Sequence, residues 1–115
     1  TSTSEERMHN DLLIQGNIGD VVVHYAKNAQ AAGLDGVVCS PLEAGMVKEA
    51  CGSDFYTVTP GIRFADGVVG DQVRITTPAK AREIGSDFIV VGRPITAAED
   101  PVAAYQRCVA EFCNE

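Results

Sequence analysis

Three times the chain runs through one local order: a short apolar stretch, then a polar residue with a side-chain oxygen, a proline and a helical pattern. Ser40-Pro41, Thr77-Pro78 and Asp100-Pro101 each place a capping oxygen ahead of a ring whose fixed φ suits the first helical position. Each pair predicts a helix start. In "SPLEAGMVKEACG", Glu43 stands three residues after Ser40 and completes a capping box. Leu42, Met46 and Ala50 recur at four-residue spacing, and Gly52 offers a left-handed cap. "TPAKAREIG" closes in the same way at Gly85. "DPVAAYQRCVAEF" puts Val102, Tyr105, Val109 and Phe112 on one face, as expected of a helix packed on a sheet. An earlier helix is predicted from about Asp20 to Ala32, closed by Gly33.

Between these helices lie "DGVVCS", "FYTVTPG" and "DFIVVG", short β-rich runs without in-out alternation. Continuous apolar strands belong to parallel sheets covered on both faces. Strand and helix in strict turn then imply right-handed βαβ crossovers. An open doubly wound sheet and a (β/α)8 barrel both satisfy the pattern, but a barrel takes about 250 residues. Three strands and four helices can be counted in 115 residues, and the polar opening "TSTSEE" leads to a helix with no strand ahead of it. The simplest expectation is an α/β chain forming the C-terminal half of a (β/α)8 TIM barrel, with parallel strands 6–8 and their flanking helices.

Composition narrows the function classes. The formal net charge is −7 and lysine and arginine occur only as isolated residues, so the basic face of a nucleic-acid binder is missing. No apolar run approaches the roughly 18 residues of a membrane span, and the polar N-terminus lacks a secretory core. The expectation is a cytoplasmic protein. Cys39, Cys51, Cys108 and Cys113 form no C-x-x-C pair and stand far from His9 and His24 in sequence, which argues for free, mostly buried thiols and against a zinc site. His24 falls in a helix and reads, like His9, as a packed or solvated residue.

Two connections carry the chemistry. "PGIRFADGVVGDQVRITT" is far longer than an ordinary βα loop, and it holds Arg63, Gln72 and Arg74 among Gly61, Gly67 and Gly70. A loop of this kind reads as a lid or binding element. The second, "VGRPIT", ends the last strand in Gly92-Arg93. In barrels the loops after the last two strands commonly hold phosphate through backbone N–H groups and a short helix N-terminus. Gly92 leaves room for an oxygen to approach main chain, and Arg93 adds a charged fork. Arg93 could instead pair with a neighbouring carboxylate; Arg63 at the adjacent strand mouth favours the ligand. No Ser-His-Asp set, G-x-G-x-x-G or Walker loop occurs, and Lys27, Lys48 and Lys80 fall in helices. The chain has the means to grip a phosphorylated ligand without a visible catalyst.

"GLDGVVCSPLEA", "TVTPGIR", "GDQVRITTPAKA" and "DFIVVGRPITAAEDP", in this order, resemble the C-terminal half of the bacterial orotidine 5′-phosphate decarboxylase family. The resemblance covers residues 1–115, from the end of the fifth strand to the eighth helix of a single TIM-barrel domain. It implies conversion of orotidine 5′-monophosphate to uridine 5′-monophosphate (UMP) and carbon dioxide, in pyrimidine biosynthesis, without metal or organic cofactor. By that resemblance Arg63, Gln72 and Arg93 hold the phosphate with the Gly92 backbone, Thr1 lies near the pyrimidine ring, and Pro60 and Gly61 border the base. The family's Lys-Asp-Lys-Asp network belongs to the N-terminal half and has no counterpart in this chain, so no catalytic residue is assigned here. A companion N-terminal half chain is expected to complete the barrel, the alternative being an isolated fragment, and the family pattern implies a homodimer of completed barrels. Two alternatives stay open: a magnesium-dependent phosphosugar enzyme of the same barrel group, such as hexulose-phosphate synthase or keto-gulonate-phosphate decarboxylase, and a non-catalytic phosphate-binding half-barrel.

Overall fold

All three polar-proline pairs start helices in the computed structural model, which describes residues 3–65 and 75–113. In chain order the elements are α1 (Glu5–Asn10), α2 (Ile18–Ala31), β1 (Gly36–Val38), α3 (Pro41–Cys51), β2 (Tyr56–Thr59), α4 (Pro78–Ile84), β3 (Phe88–Ile89), α5 (Arg93–Thr96) and α6 (Pro101–Cys113). Ser40 accepts from the Leu42 N–H, and the Glu43 side chain reaches back to the Ser40 N–H, so the predicted capping box forms. Thr77 Oγ1 caps Lys80 N at 3.1 Å, and Asp100 Oδ1 caps Ala103 N at 3.1 Å. Asn17 caps α2, which therefore begins two residues before the expected Asp20. None of the described helices is long and apolar enough to cross a membrane.

The strands are parallel in the order β1-β2-β3, as the βαβ reading requires. Gly36 pairs with Tyr56, Val38 with Val58, Val58 with Phe88, and Thr59 with Ile89. Because side chains alternate across a strand, Val37, Cys39, Thr57, Thr59 and Ile89 share one face, and Val38, Tyr56, Val58, Phe88 and Val90 the other. Helices cover the first face. Packing runs from α2 to α3, to α4, to α6, and the whole measures 43 × 33 × 19 Å, a slab two layers thick.

Two apolar clusters sit beneath the helices. Ala26, Cys39, Ala44, Val47 and Phe55 form one; Phe64, Ala104 and Cys108 form the other, with Val91, Ile95 and Ala98 against it. Between them runs a polar seam. Thr57 and Thr59 are wholly buried, and Thr59 Oγ1 lies 2.8 Å from Ser86 Oγ, which donates to the Phe88 carbonyl at 2.9 Å. Asp87 Oδ2 accepts from Thr57 N at 2.8 Å and from Thr57 Oγ1 at 3.3 Å, and it pairs with the Lys48 ammonium. Burial alone would raise the Asp87 carboxyl, but Lys48 and the two Thr57 donors outweigh it and hold the group below its ordinary value. Among the described residues no buried side-chain N or O lacks a partner.

The opposite sheet face is apolar and open. Val38 is 66% exposed and Phe88 52%, with the Phe88 ring edge-on to Tyr56 at 5.6 Å between centroids. Gly36 is required here by close approach, since a Cβ would meet the Tyr56 carbonyl oxygen at 2.4 Å.

Several expectations need correction. The described residues hold six helices rather than four, because α1 and the short α5 are helical as well. On α3 the buried stripe is Pro41, Ala44 and Val47, while Leu42 and Met46 face outward. The three-residue spacing wins because small Ala44 lets the helix sit close to its neighbours. On α6 the buried residues are Ala104 and Cys108; Val102 and Tyr105 are exposed, and Val109 and Phe112 are half-buried at its edge. Large side chains there flank the contact that small ones make. Gly52 has positive φ but an extended ψ of 159°, so it is not the left-handed cap expected, whereas Gly85 is. The ladder of β3 stops at Ile89, with Val90 N still donating to the Thr59 carbonyl at 3.0 Å. All four cysteines are free as expected, although Cys51 is only half-buried and Cys113 is exposed.

Candidate functional site

At the carboxyl ends of β2 and β3 the chain leaves the sheet through Pro60-Gly61-Ile62-Arg63 and Val91-Gly92-Arg93-Pro94. Gly61 turns the chain with φ of +76°, a left-handed conformation that glycine adopts without the cost a side chain would add. The following residues then alternate: Ile62 and Phe64 are buried at 1% and 8%, and Arg63 between them is half-buried. Arg63 N donates to the Thr76 carbonyl at 3.0 Å, and Ile62 bridges Thr76 in parallel fashion. This short pairing fixes the backbone from which Arg63 projects.

On the neighbouring strand, Gly92 is the N-cap of α5 and Arg93 its first residue, followed at once by Pro94. The Gly92 carbonyl accepts from Ile95 N at 2.9 Å and from Thr96 N at 3.0 Å. A Cβ at Gly92 would meet no atom within 4 Å, so its smallness is not explained by packing among the described residues. That leaves main chain accessible beside an arginine.

The two exits meet. Gly61, Ile62, Arg63, Val90, Gly92, Arg93 and Pro94 line one recess of about 240 Å³. Among the described residues neither Arg63 nor Arg93 forms a salt bridge. The neighbouring-carboxylate alternative for Arg93 thus finds no partner there, and two cationic forks converge on a small open site. Of the residues expected from sequence, Gly61, Arg63, Gly92 and Arg93 come together. Pro60 is half-buried next to Gly61 but does not line the recess. Thr1, Gln72 and Arg74, with the lid expected of the long loop, lie outside the described residues.

Other candidates recede. Burial pushes the Cys39 thiol up to about 11, with the Glu43 carboxylate adding to the rise, so this group at the end of β1 is a protonated, inert thiol near neutrality. His9 Nε2 lies 2.5 Å from the Gly16 carbonyl oxygen, and His24 contacts Asn28 within α2. Both histidines serve local structure. Sequence reasoning missed Phe64, whose ring packs against α6 beneath the Arg107 guanidinium, 4.0 Å from the ring centroid. An aromatic residue directly after Arg63, two positions beyond the apolar Ile62, was the available signal.

Parallel βα units with a recess open at the strand carboxyl ends are the build of (β/α)8 barrel proteins, of which the chain forms a C-terminal portion. The chain belongs to the Orotidine 5′-phosphate decarboxylase / HUMPS family, whose profile matches residues 1–108. It is 61% identical to orotidine 5′-phosphate decarboxylase of Enterococcus faecalis, covering 100% of this chain and 48% of that protein. Identity to the enzyme of that name from Streptococcus mutans is 60%, over 97% of this chain and 49% of the relative. The crystal structure of orotidine 5′-phosphate decarboxylase from Lactobacillus acidophilus superposes with a TM-score of 0.81 at 44% identity, covering 97% of this chain and 45% of that one. The chain therefore spans about half the length of the relatives it matches.

Proposed function

We propose that this chain supplies the phosphate-gripping half of an orotidine 5′-monophosphate decarboxylase. The observation that carries this reading is the convergence of Arg63 and Arg93, from the ends of adjacent parallel strands, on one recess beside an open glycine backbone. A phosphate dianion suits such a site because guanidinium forks bind its oxygens at two points. Gln72 would add a third contact to the phosphate, and Thr1, Pro60 and Gly61 would border the pyrimidine. The reacting carbon lies away from the phosphate, so this grip acts by using remote binding energy to orient the ring in the transition state. A companion N-terminal half would bring the Lys-Asp network. There the bond from ring carbon to carboxylate breaks, carbon dioxide leaves, and a lysine proton replaces it to give UMP, with no cofactor. Residues 1–115 would then be the C-terminal half of one barrel domain, working in the cytoplasm as part of a homodimer of completed barrels. Relatives named for this decarboxylase, at 52% to 61% identity, favour it over the magnesium-dependent phosphosugar enzymes.

The test is to combine the chain with the N-terminal half of the Enterococcus faecalis relative and follow conversion of orotidine 5′-monophosphate to UMP in the presence of a metal chelator. Chelator-resistant turnover is expected. Absence of turnover together with equal affinity of the chain for UMP and uridine would sink the reading.

A further inference from the structure

We infer that Phe64 and Arg107 are positioning residues for Arg63, and that α6 sets the spacing between the two arginines of the recess. The inference rests on the phosphate reading above and adds to it residues remote from the ligand.

Arg63 is held from both sides in the chain. On one side Ile62 is buried and bridges Thr76. On the other, Phe64 is driven into the cluster with Ala104 and Cys108 of α6. The Arg107 guanidinium lies over the outer face of the Phe64 ring, where attraction between cation and ring quadrupole adds to burial. Arg107 is itself held one turn further on, its Nε donating to Glu111 Oε2 at 2.8 Å. Phe64 thus cannot swing out without uncovering α6 and losing the cation. Since Arg63 is bonded directly to Phe64, its backbone position depends on this contact.

The same helix governs the other arginine. Ile95 and Ala98 pack on the Phe64, Ala104 and Cys108 cluster, and α5, which begins with Arg93, lies against α6. One helix therefore braces both arms of the recess. Phe64 and Arg107 do not line the recess, so any effect they have on a ligand is indirect, chiefly through the placement of Arg63.

Arg107→Ala tests this on the chain as it stands, because Arg107 is partly exposed and its removal leaves the buried cluster intact. Hydrogen exchange of the Arg63 amide, which donates to Thr76, reports position without any ligand. Titrations with UMP and with uridine report the phosphate grip. The expected result is faster exchange at Arg63 with α2 amides unchanged, and about 2- to 5-fold weaker UMP binding with uridine binding unaltered. Phe64→Leu should behave alike, and Arg107→Lys, which keeps a cation, should stay closer to the parent. In an Arg63→Ala background, Arg107→Ala should cost clearly less than in the parent. Unchanged protection at Arg63, loosening that spreads equally to α2, or an equal loss of UMP affinity without Arg63 would each overturn the inference. Should the parent chain bind UMP no better than uridine, the phosphate reading falls, while the amide measurement still decides whether Arg107 places Arg63.

Discussion

Asp87→Asn is expected to destabilise the chain by about 2 kcal/mol at pH 7, the range of a hydrogen-bonded charge that is neither fully buried nor free. The carboxylate takes two donors from Thr57 and pairs with Lys48, and the two charged side chains are 28% and 16% exposed. The amide keeps an oxygen for Thr57 N but loses the ion pair, leaving the Lys48 ammonium with the Ser53 carbonyl at 3.0 Å. Asp87→Ala also leaves Thr57 N without its acceptor and should cost about 1 kcal/mol more. The pH dependence has a definite sign. The folded carboxyl titrates below its ordinary value, while the unfolded one titrates near 3.9. The network's contribution is therefore full above about pH 4 and falls below it by about 1.4 kcal/mol per pH unit until the folded group protonates. Urea unfolding followed by far-ultraviolet circular dichroism at several pH values reads both effects. A difference below about 0.5 kcal/mol at pH 7, or a gap between parent and Asp87→Asn that fails to narrow on acidification, would refute the reasoning.

Arg93→Ala should weaken UMP by about 10-fold or more while leaving uridine nearly unchanged, because a charge-assisted contact to phosphate is lost. Calorimetric titration of both ligands decides it, and an equal loss for both would assign Arg93 to the fold. Within α3, Val47→Ala should cost about 2 kcal/mol through its buried cavity, whereas Leu42→Ala on the outer side should stay within about 0.5 kcal/mol. Denaturant midpoints of the two variants compare them directly.

Parallel strands, helix starts and the two arginine exits were legible in the sequence because each rests on local chemistry: a capping oxygen, a proline φ, a glycine at a turn. Which stripe of α3 or α6 faces inward was not. Helical spacing of large apolar residues pointed to Leu42 and Tyr105, but close packing of helices selected the small Ala44, Ala104 and Cys108. The large residues make sense as groups left at the margins of a slab with one open sheet face. The polar seam was hidden for another reason. Thr57 stands 30 positions ahead of Asp87, and only the pairing of β2 with β3 makes them neighbours. Phe64, behind the recess, gives no sequence signal of its bracing role because its partners lie on the last helix.

The β2 to β3 pairing spans only two residues, Val58 with Phe88 and Thr59 with Ile89, too few for backbone hydrogen bonds alone to forbid slippage. Asp87 against Thr57 and Ser86 against Thr59 act as a keyed joint where β3 begins. A slip by one notch would offset the strands by about 3.3 Å, roughly the reach of a hydrogen bond, and would also turn Asp87 to the wrong side of the sheet. The alignment of Arg93 beside Arg63 is thus decided within the sheet, by groups that do not line the recess.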